Sequence, residues 1–263
     1  MSGEQLSLFG PPPPPAAGSG GDGQGPDQGG GGGGDPGGAD GSSGQDPAEP
    51  LPGQVPLFDG SVAARDVRTL LEALGAEAAR CRACGLRNTC RGVVFGEGDP
   101  ESGIILVGEA PGAVEDELGR PFVGPAGQLL DRILLAVGFR REQVYITNTV
   151  LCRPPGNRVP SPEEVAACRA WLDRRLAIMK PYIMVCLGAS AARAVLGRDL
   201  RITRDRGRWQ SLGPMKVMPT FHPAALLRDP SKKRAVWEDM KAVRAEWERL
   251  RAGGPPESEG RTA

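Results

Sequence analysis

The segment CRACGLRNTC, residues 81–90, holds three of the six cysteines in this chain. Cys81 and Cys84 stand in C-x-x-C spacing, which lets one loop turn both thiolates toward a single metal. Cysteine-held metals generally take four ligands, so two more are needed. Cys90, six residues past Cys84, could compete for a place; Cys152 and Cys168, with fifteen residues between them, form another pair. Cys186 lies inside an apolar run and reads as a core thiol. Four thiolates suit zinc or an iron–sulfur cluster, and spacing does not separate the two.

Other residues with chemical potential are few. His222 is the one histidine of the chain, in TFHPA. Asn148 ends the β-branched run QVYITN, where a carboxamide can both accept and donate, although an Asn after a strand also forms turns. Glu109 sits in GEAPG and Glu115 six residues on, while Phe122 in GRPFVG reads by itself as core packing.

These residues need elements to hold them. Apolar residues at helical spacing predict a helix over 64–80, running directly into Cys81. GIILVGEAPG (103–112) reads as a buried strand breaking into a loop, and PAGQLLDRILLAVG (125–138) as a helix. QVYITN (143–148) is a strand followed by the loop RPPGNRVP. Residues 161–180 form a helix whose Ser161, Pro162 and Glu164 match N-cap, first-turn and capping-box positions. YIMVCLG (182–188) is a strand leading into the helix ASAARAVLG, KVMPTFHP (216–223) is a strand and loop, and 231–251 is an amphipathic helix. Strands alternating with helices predict an α/β fold, a mostly parallel sheet covered on both faces. In such sheets the active residues gather beyond the carboxyl ends of the strands, here GEAPG, TNTVLC and TFHPA.

Composition divides the chain. Residues 1–60 carry 19 of the 39 glycines, 11 of the 26 prolines and eight acidic residues, with no Lys or Arg. That stretch has too little apolar surface to offset its ordering entropy, so a disordered arm is expected over 1–62, a folded domain over 63–251 and a disordered tail over 252–263. Without the first 60 residues, 32 basic residues face 24 acidic ones, a balance that fits a polyanionic partner as well as an ordinary solvated surface. No basic-then-apolar leader opens the chain and no apolar run reaches the ~18 residues of a membrane span, so a cytoplasmic protein is expected.

Three ordered stretches, GEAPGAVEDELGRPFVGPAGQLLD, YITNTVLCRPPGNRVPSPEE and TFHPAALLRD, resemble the signatures of family-4 uracil-DNA glycosylases, iron–sulfur enzymes of bacteria and archaea. The resemblance runs from about Glu77 to the closing helix. It implies a three-layer α/β/α sandwich of the uracil-DNA glycosylase type and hydrolysis of the N-glycosidic bond of deoxyuridine in DNA. Carried over residue by residue, it implies a [4Fe–4S] cluster held by Cys81, Cys84, Cys152 and Cys168, with Cys90 a bystander. Asn148 would then read the uracil edge, Phe122 would stack on the flipped base, and His222 would hydrogen-bond the departing O2. Ala110 stands where better-known relatives carry a water-orienting Asp, which leaves Glu109 first and Glu115 second to place the attacking water. Backbone N–H groups of the loop Glu109–Ala110–Pro111 would help to hold O2. Leu226, Leu227 and Arg228 would fill the gap left by the flipped base and grip phosphate, or else form one apolar helix face.

The expected partner is uracil-containing DNA, met by a monomer in the nucleoid of a bacterial cell. QLSLF (Gln5–Phe9) also resembles the pentapeptide that docks on the bacterial sliding clamp, and QVPLF (54–58) repeats its pattern with Pro56 out of place. Two rival readings stand beside the enzyme. A non-catalytic iron–sulfur or zinc nucleic-acid-binding module would not need Asn148, His222 and Phe122 together. A relative that traps its abasic product covalently would need a second histidine near LLRDPSKKR, which is absent.

Overall fold

The structure is a computed structural model that describes residues 66–253. The arm expected over 1–62, with Gln5–Phe9 and its repeat, and the tail beyond residue 253 lie outside the described residues.

Six strands form one sheet: β1 (Glu97–Gly98), β2 (Ile104–Gly108), β3 (Tyr145–Asn148), β4 (Ile183–Leu187), β5 (Gln210–Leu212) and β6 (Met215–Thr220). Their order is β1-β3-β2-β4-β6-β5. The four central strands run parallel, as the alternation of strand and helix implies. Both edges are antiparallel, β1 on β3 and β5 on β6. Strands of two and three residues carry no periodicity, which is why the sequence pattern does not reveal them.

Eight helices accompany the sheet among the described residues: α1 (Val67–Ala78), α2 (Ala113–Leu118), α3 (Pro125–Ala136), α4 (Pro162–Met179), α5 (Ala189–Leu196), α6 (Ile202–Asp205), α7 (Pro223–Arg228) and α8 (Lys233–Arg251). Successive strand residues point to opposite faces, so β2 and β4 divide their side chains between two cores. Ile104, Leu106, Ile183 and Val185 pack with α3, α7 and α8 on one face. Ile105, Val107, Met184 and Cys186 pack with α1, α4 and α5 on the other. Because both faces are buried, these strands read as continuous apolar runs. The three-layer α/β/α sandwich is therefore the observed architecture.

Local signals explain the helix starts nearest the site. Ser161 accepts from the Glu164 N–H at 3.3 Å while Glu164 accepts from the Ser161 N–H at 2.8 Å, and Pro162 occupies the first turn of α4. Helix α4 thus begins at a fixed point and places Cys168 in its second turn. No helix among the described residues is long and apolar enough to cross a membrane.

Candidate active site and cysteine centre

A cleft of about 720 Å³ opens at the carboxyl ends of the four parallel strands. It brings together Glu109, Ala110, Pro111, Glu115, Phe122, Asn148, His222 and Arg228. Asn148, the last residue of β3, lies opposite Gly108 at the end of β2. Its side chain is 1% exposed, and its Oδ1 is buried without a hydrogen-bond partner. Such an acceptor carries a desolvation cost unless a ligand supplies a donor.

Gly108 makes room for this arrangement. A methyl group on its Cα would come 2.4 Å from Asn148 Oδ1 and 2.4 Å from the tip of the Phe122 ring. Gly108→Ala is therefore expected to displace both side chains and slow turnover on the order of a hundredfold, the cost of misplacing a reacting geometry by about 1 Å. Single-turnover assays beside circular dichroism check this; full activity in a folded variant would refute the close packing.

Phe122 is held in a conformation unusual for a large side chain, with φ of 51°. Two charged residues fix its loop. Glu115 Oε1 accepts from the N–H groups of Val123 (3.0 Å) and Gly124 (2.8 Å). Arg141 donates to the carbonyls of Phe122 (3.0 Å) and Pro121 (2.5 Å), and is itself paired with Glu97 and Asp131. The Phe122 ring then lies 5.5 Å from the His222 ring, tilted by 33°.

His222 caps helix α7, its Nδ1 accepting from the Ala224 N–H at 3.1 Å. With the Nδ1 lone pair engaged, the neutral ring carries its proton on Nε2. Burial first, and then the nearby Arg228 charge, depress its pKa to about 4, with Glu115 opposing. The unfolded chain therefore takes up the proton first, and this contribution to stability is complete above about pH 6.5 and lost as the pH falls toward 4. Since His222 is the sole histidine, its imidazole resonances are unambiguous: an NMR titration is expected to find the midpoint near 4. A midpoint of about 6.5 would contradict the half-buried, neutral ring.

The loop after β2 is pinned to the chain leaving β3. Thr149 N–H donates to the Gly108 carbonyl (2.9 Å), and its hydroxyl to the Glu109 carbonyl (2.7 Å). Glu109 is half-buried at the cleft.

The sequence model of the Uracil DNA glycosylase superfamily matches residues 95–241, which contain every cleft residue described above. The chain is 46% identical over 182 residues to a type-4 uracil-DNA glycosylase of Thermotoga maritima, covering 67% of this chain and 94% of that relative. Type-4 uracil-DNA glycosylases of Sulfurisphaera tokodaii (42% identity; 66% of this chain, 83% of the relative) and Archaeoglobus fulgidus (43%; 62% and 86%) are similar to it as well. The chain belongs to the type-4 uracil-DNA glycosylases.

In this glycosylase the residues expected to meet DNA divide. Leu227 is 48% exposed on α7, and Arg228 is exposed at the cleft. Leu226 is not available: it is 1% exposed and packs in the core with α3 and α8, because α7 must bury one side to dock on the sheet. The expectation that Leu226 inserts into DNA is corrected accordingly.

Cys81, Cys84, Cys152 and Cys168 line a second, small cavity beside Trp171. Their donor set suits a group bound through thiolates. Trp171 Nε1–H (3.3 Å) and the Ala83 N–H (3.5 Å) point at Cys81 Sγ, and the Leu151 N–H (3.4 Å) at Cys168 Sγ. Burial pushes the Cys168 thiol up to about 11, so a bound cation is what would make it a thiolate. Among the described residues no group of three or more His, Cys, Asp or Glu side chains is arranged to hold a metal ion. Cys90 lies against Cys152 without lining the cavity, and Cys186 is fully buried in β4.

Sequence reasoning missed Gly108, Arg141 and the network at the end of β6. There Asp239 on α8 accepts from the Thr220 hydroxyl at 2.6 Å and pairs with Arg206, steadying the strand that delivers His222. A glycine closing an apolar strand is the one local signal that points to Gly108.

Proposed function

We propose that this chain hydrolyses the N-glycosidic bond of deoxyuridine in DNA, releasing uracil and leaving an abasic site for base excision repair in the cytoplasm. The observation that carries the reading is the buried, partnerless Oδ1 of Asn148 at the floor of the cleft. Uracil presents an N3–H donor beside an O4 acceptor, and one carboxamide answers both. Cytosine lacks the N3 proton and carries an amino group in place of O4, so both contacts fail and leave buried groups unpaired.

A base inside a duplex cannot reach such a floor, so the nucleotide is turned out of the stack. Phe122 stacks on the flipped base, and Leu227 enters the gap it leaves while Arg228 meets phosphate. As the C1′–N1 bond breaks, its electron pair passes to the base and charge gathers on O2. His222 donates from Nε2–H to that oxygen, and the N–H groups of the loop Glu109–Ala110–Pro111 add to the same field where they carry a proton. Water adds to C1′ and loses its proton, with Glu109 placing it. Glu115 serves differently: with Oε1 accepting two N–H groups of the Phe122 loop, it positions the stacking ring.

Cys81, Cys84, Cys152 and Cys168 are assigned to a [4Fe–4S] cluster. Their shared cavity, the N–H groups aimed at sulfur, and the type-4 membership support this. When bound, the cluster supplies no step of the hydrolysis; it ties the segment after α1 to the loop after β3 and to α4. Gln5–Phe9 remains a candidate peptide for a sliding clamp.

The deciding experiment is incubation of the purified chain with a uracil-containing oligonucleotide, followed by alkali. Cleavage at the uracil, and none in the thymine-containing control, is expected. An intact uracil strand would leave a binding module as the better reading.

A further inference from the structure

Arg175 on α4 is the largest side chain that the described residues bury completely. Its Nε donates to the Trp171 carbonyl (3.1 Å), and its Nη1 to the Phe95 carbonyl (2.7 Å) and the Thr147 hydroxyl. The guanidinium lies 4.7 Å over the Phe95 ring, and its other polar neighbour is the Tyr145 hydroxyl, which no well-aligned bond from Nη2 reaches. Every acceptor is neutral. The titratable side chains that bear on it are Tyr145 and Cys168 rather than any carboxylate. A guanidinium does not shed its proton, and a buried charge without a counter-charge is strongly unfavourable.

Of Tyr145 and Cys168, Cys168 is the one that metal binding would turn into an anion. Cys168, Trp171 and Arg175 follow one another at helical spacing along α4. The Trp171 carbonyl takes Arg175 Nε, while its indole N–H donates to Cys81 Sγ. Phe95, under the guanidinium, also packs against the cluster of Cys152 and Cys168. Arg175 thus stands one side chain away from the cysteine-lined cavity. Four cysteine thiolates around an oxidised [4Fe–4S] core would make a doubly negative unit, with Cys152 and Cys168 buried and Cys81 and Cys84 half-buried.

We propose that Arg175 is the buried counter-cation of the cysteine-held centre, and that its bond to Thr147 ties this centre to the strand carrying Asn148. The proposal rests on the iron–sulfur reading given above. Thr147 and Asn148 are adjacent on β3 and point to opposite faces, so one strand end meets Arg175 on one side and the cleft on the other. Net charge and hydrogen bonding around the sulfurs set a cluster's reduction potential, and outer-shell partners set its retention. Arg175 is a positioning and tuning residue; it touches no substrate.

The test compares Arg175→Gln, which keeps amide donors but not the charge, with Arg175→Lys, which keeps the charge. Both are made in the full chain and purified without oxygen. Reduction adds negative charge, so loss of the cation is expected to disfavour it by at least tenfold, a shift of the midpoint of about 59 mV to more negative values. Arg175→Lys is expected to stay close to the unmodified potential. Iron release to a chelator should be about tenfold faster for Gln and nearly unchanged for Lys, a reading that hydrolytic activity does not enter. Failure to isolate Gln beside a Lys variant of unmodified potential supports the charge; equal damage to Gln and Lys, or no shift in either, overturns the proposal. An unmodified protein without iron defeats the cluster reading itself, whereas an iron-bearing one with an indifferent Arg175 defeats only the counter-cation.

Discussion

His222→Ala and Asn148→Ala each lower single-turnover uracil release by a hundredfold or more, while duplex DNA binding keeps its affinity and salt dependence. That is the expected result. A donor aimed at charge that develops only in the transition state is worth on the order of 3 kcal/mol. Asn148 is 1% exposed and Nε2 of His222 is the ring's one remaining donor, so neither alanine variant keeps a protein group for its contact with the base. Phosphate contacts govern duplex affinity, and neither substitution removes a cationic side chain. His222 also caps α7, a loss that costs about 1 kcal/mol of stability by itself. His222→Ser separates the two roles, because serine restores a cap yet cannot reach the base. Equal kinetic loss in the Ala and Ser variants locates the effect in chemistry; unmodified rates in either would overturn the assigned mechanism.

Serine at Cys81, Cys84, Cys152 or Cys168 is expected to cost the protein its cofactor and much of its stability. The four positions lie after α1, after β3 and within α4, so a bound centre would cross-link segments otherwise joined by packing and by a few polar contacts such as the Glu77–Arg174 ion pair. Metal centres of this type contribute folding free energy directly. Loss of several kcal/mol lowers Tm by about 10 °C or more in a domain of this size. Cys90→Ser and Cys186→Ala serve as controls, since neither lines the cavity. Iron analysis and visible absorbance of anaerobically purified protein give the reading. Stoichiometric zinc in colourless protein would replace the iron and keep the ligand set; retention of colour in all four serine variants would discard that set.

Local grammar was the legible part of this fold. The Ser161–Pro162–Glu164 start of α4, the buried strands β2 and β4 and the placement of Asn148 at a strand end all rest on neighbours a few residues apart. The parts that escaped are held by partners distant in the chain. Arg141 grips carbonyls 19 and 20 residues away and a carboxylate 44 residues away. Arg175 reaches a carbonyl 80 residues before it, and Asp239 a hydroxyl 19 residues before it. No window of sequence displays such pairs. Leu226 failed for a related reason: an apolar pair on a short helix does not announce which member faces the core, and packing against α3 chose it. Glu115 was legible as a cleft carboxylate, but its engagement with Val123 and Gly124 belongs to the tertiary structure.

Helix α7 is only six residues long and is capped at its first turn by His222. The exposed Leu227 rides at its far end. The proposed donor and the proposed wedge therefore sit at the two ends of one short helix, and a shift of α7 as a unit would move both. On the reading proposed above, a duplex that resists Leu227 would also hold His222 away from the base. Probing the duplex and placing the donor would then be coupled through fewer than two turns of helix.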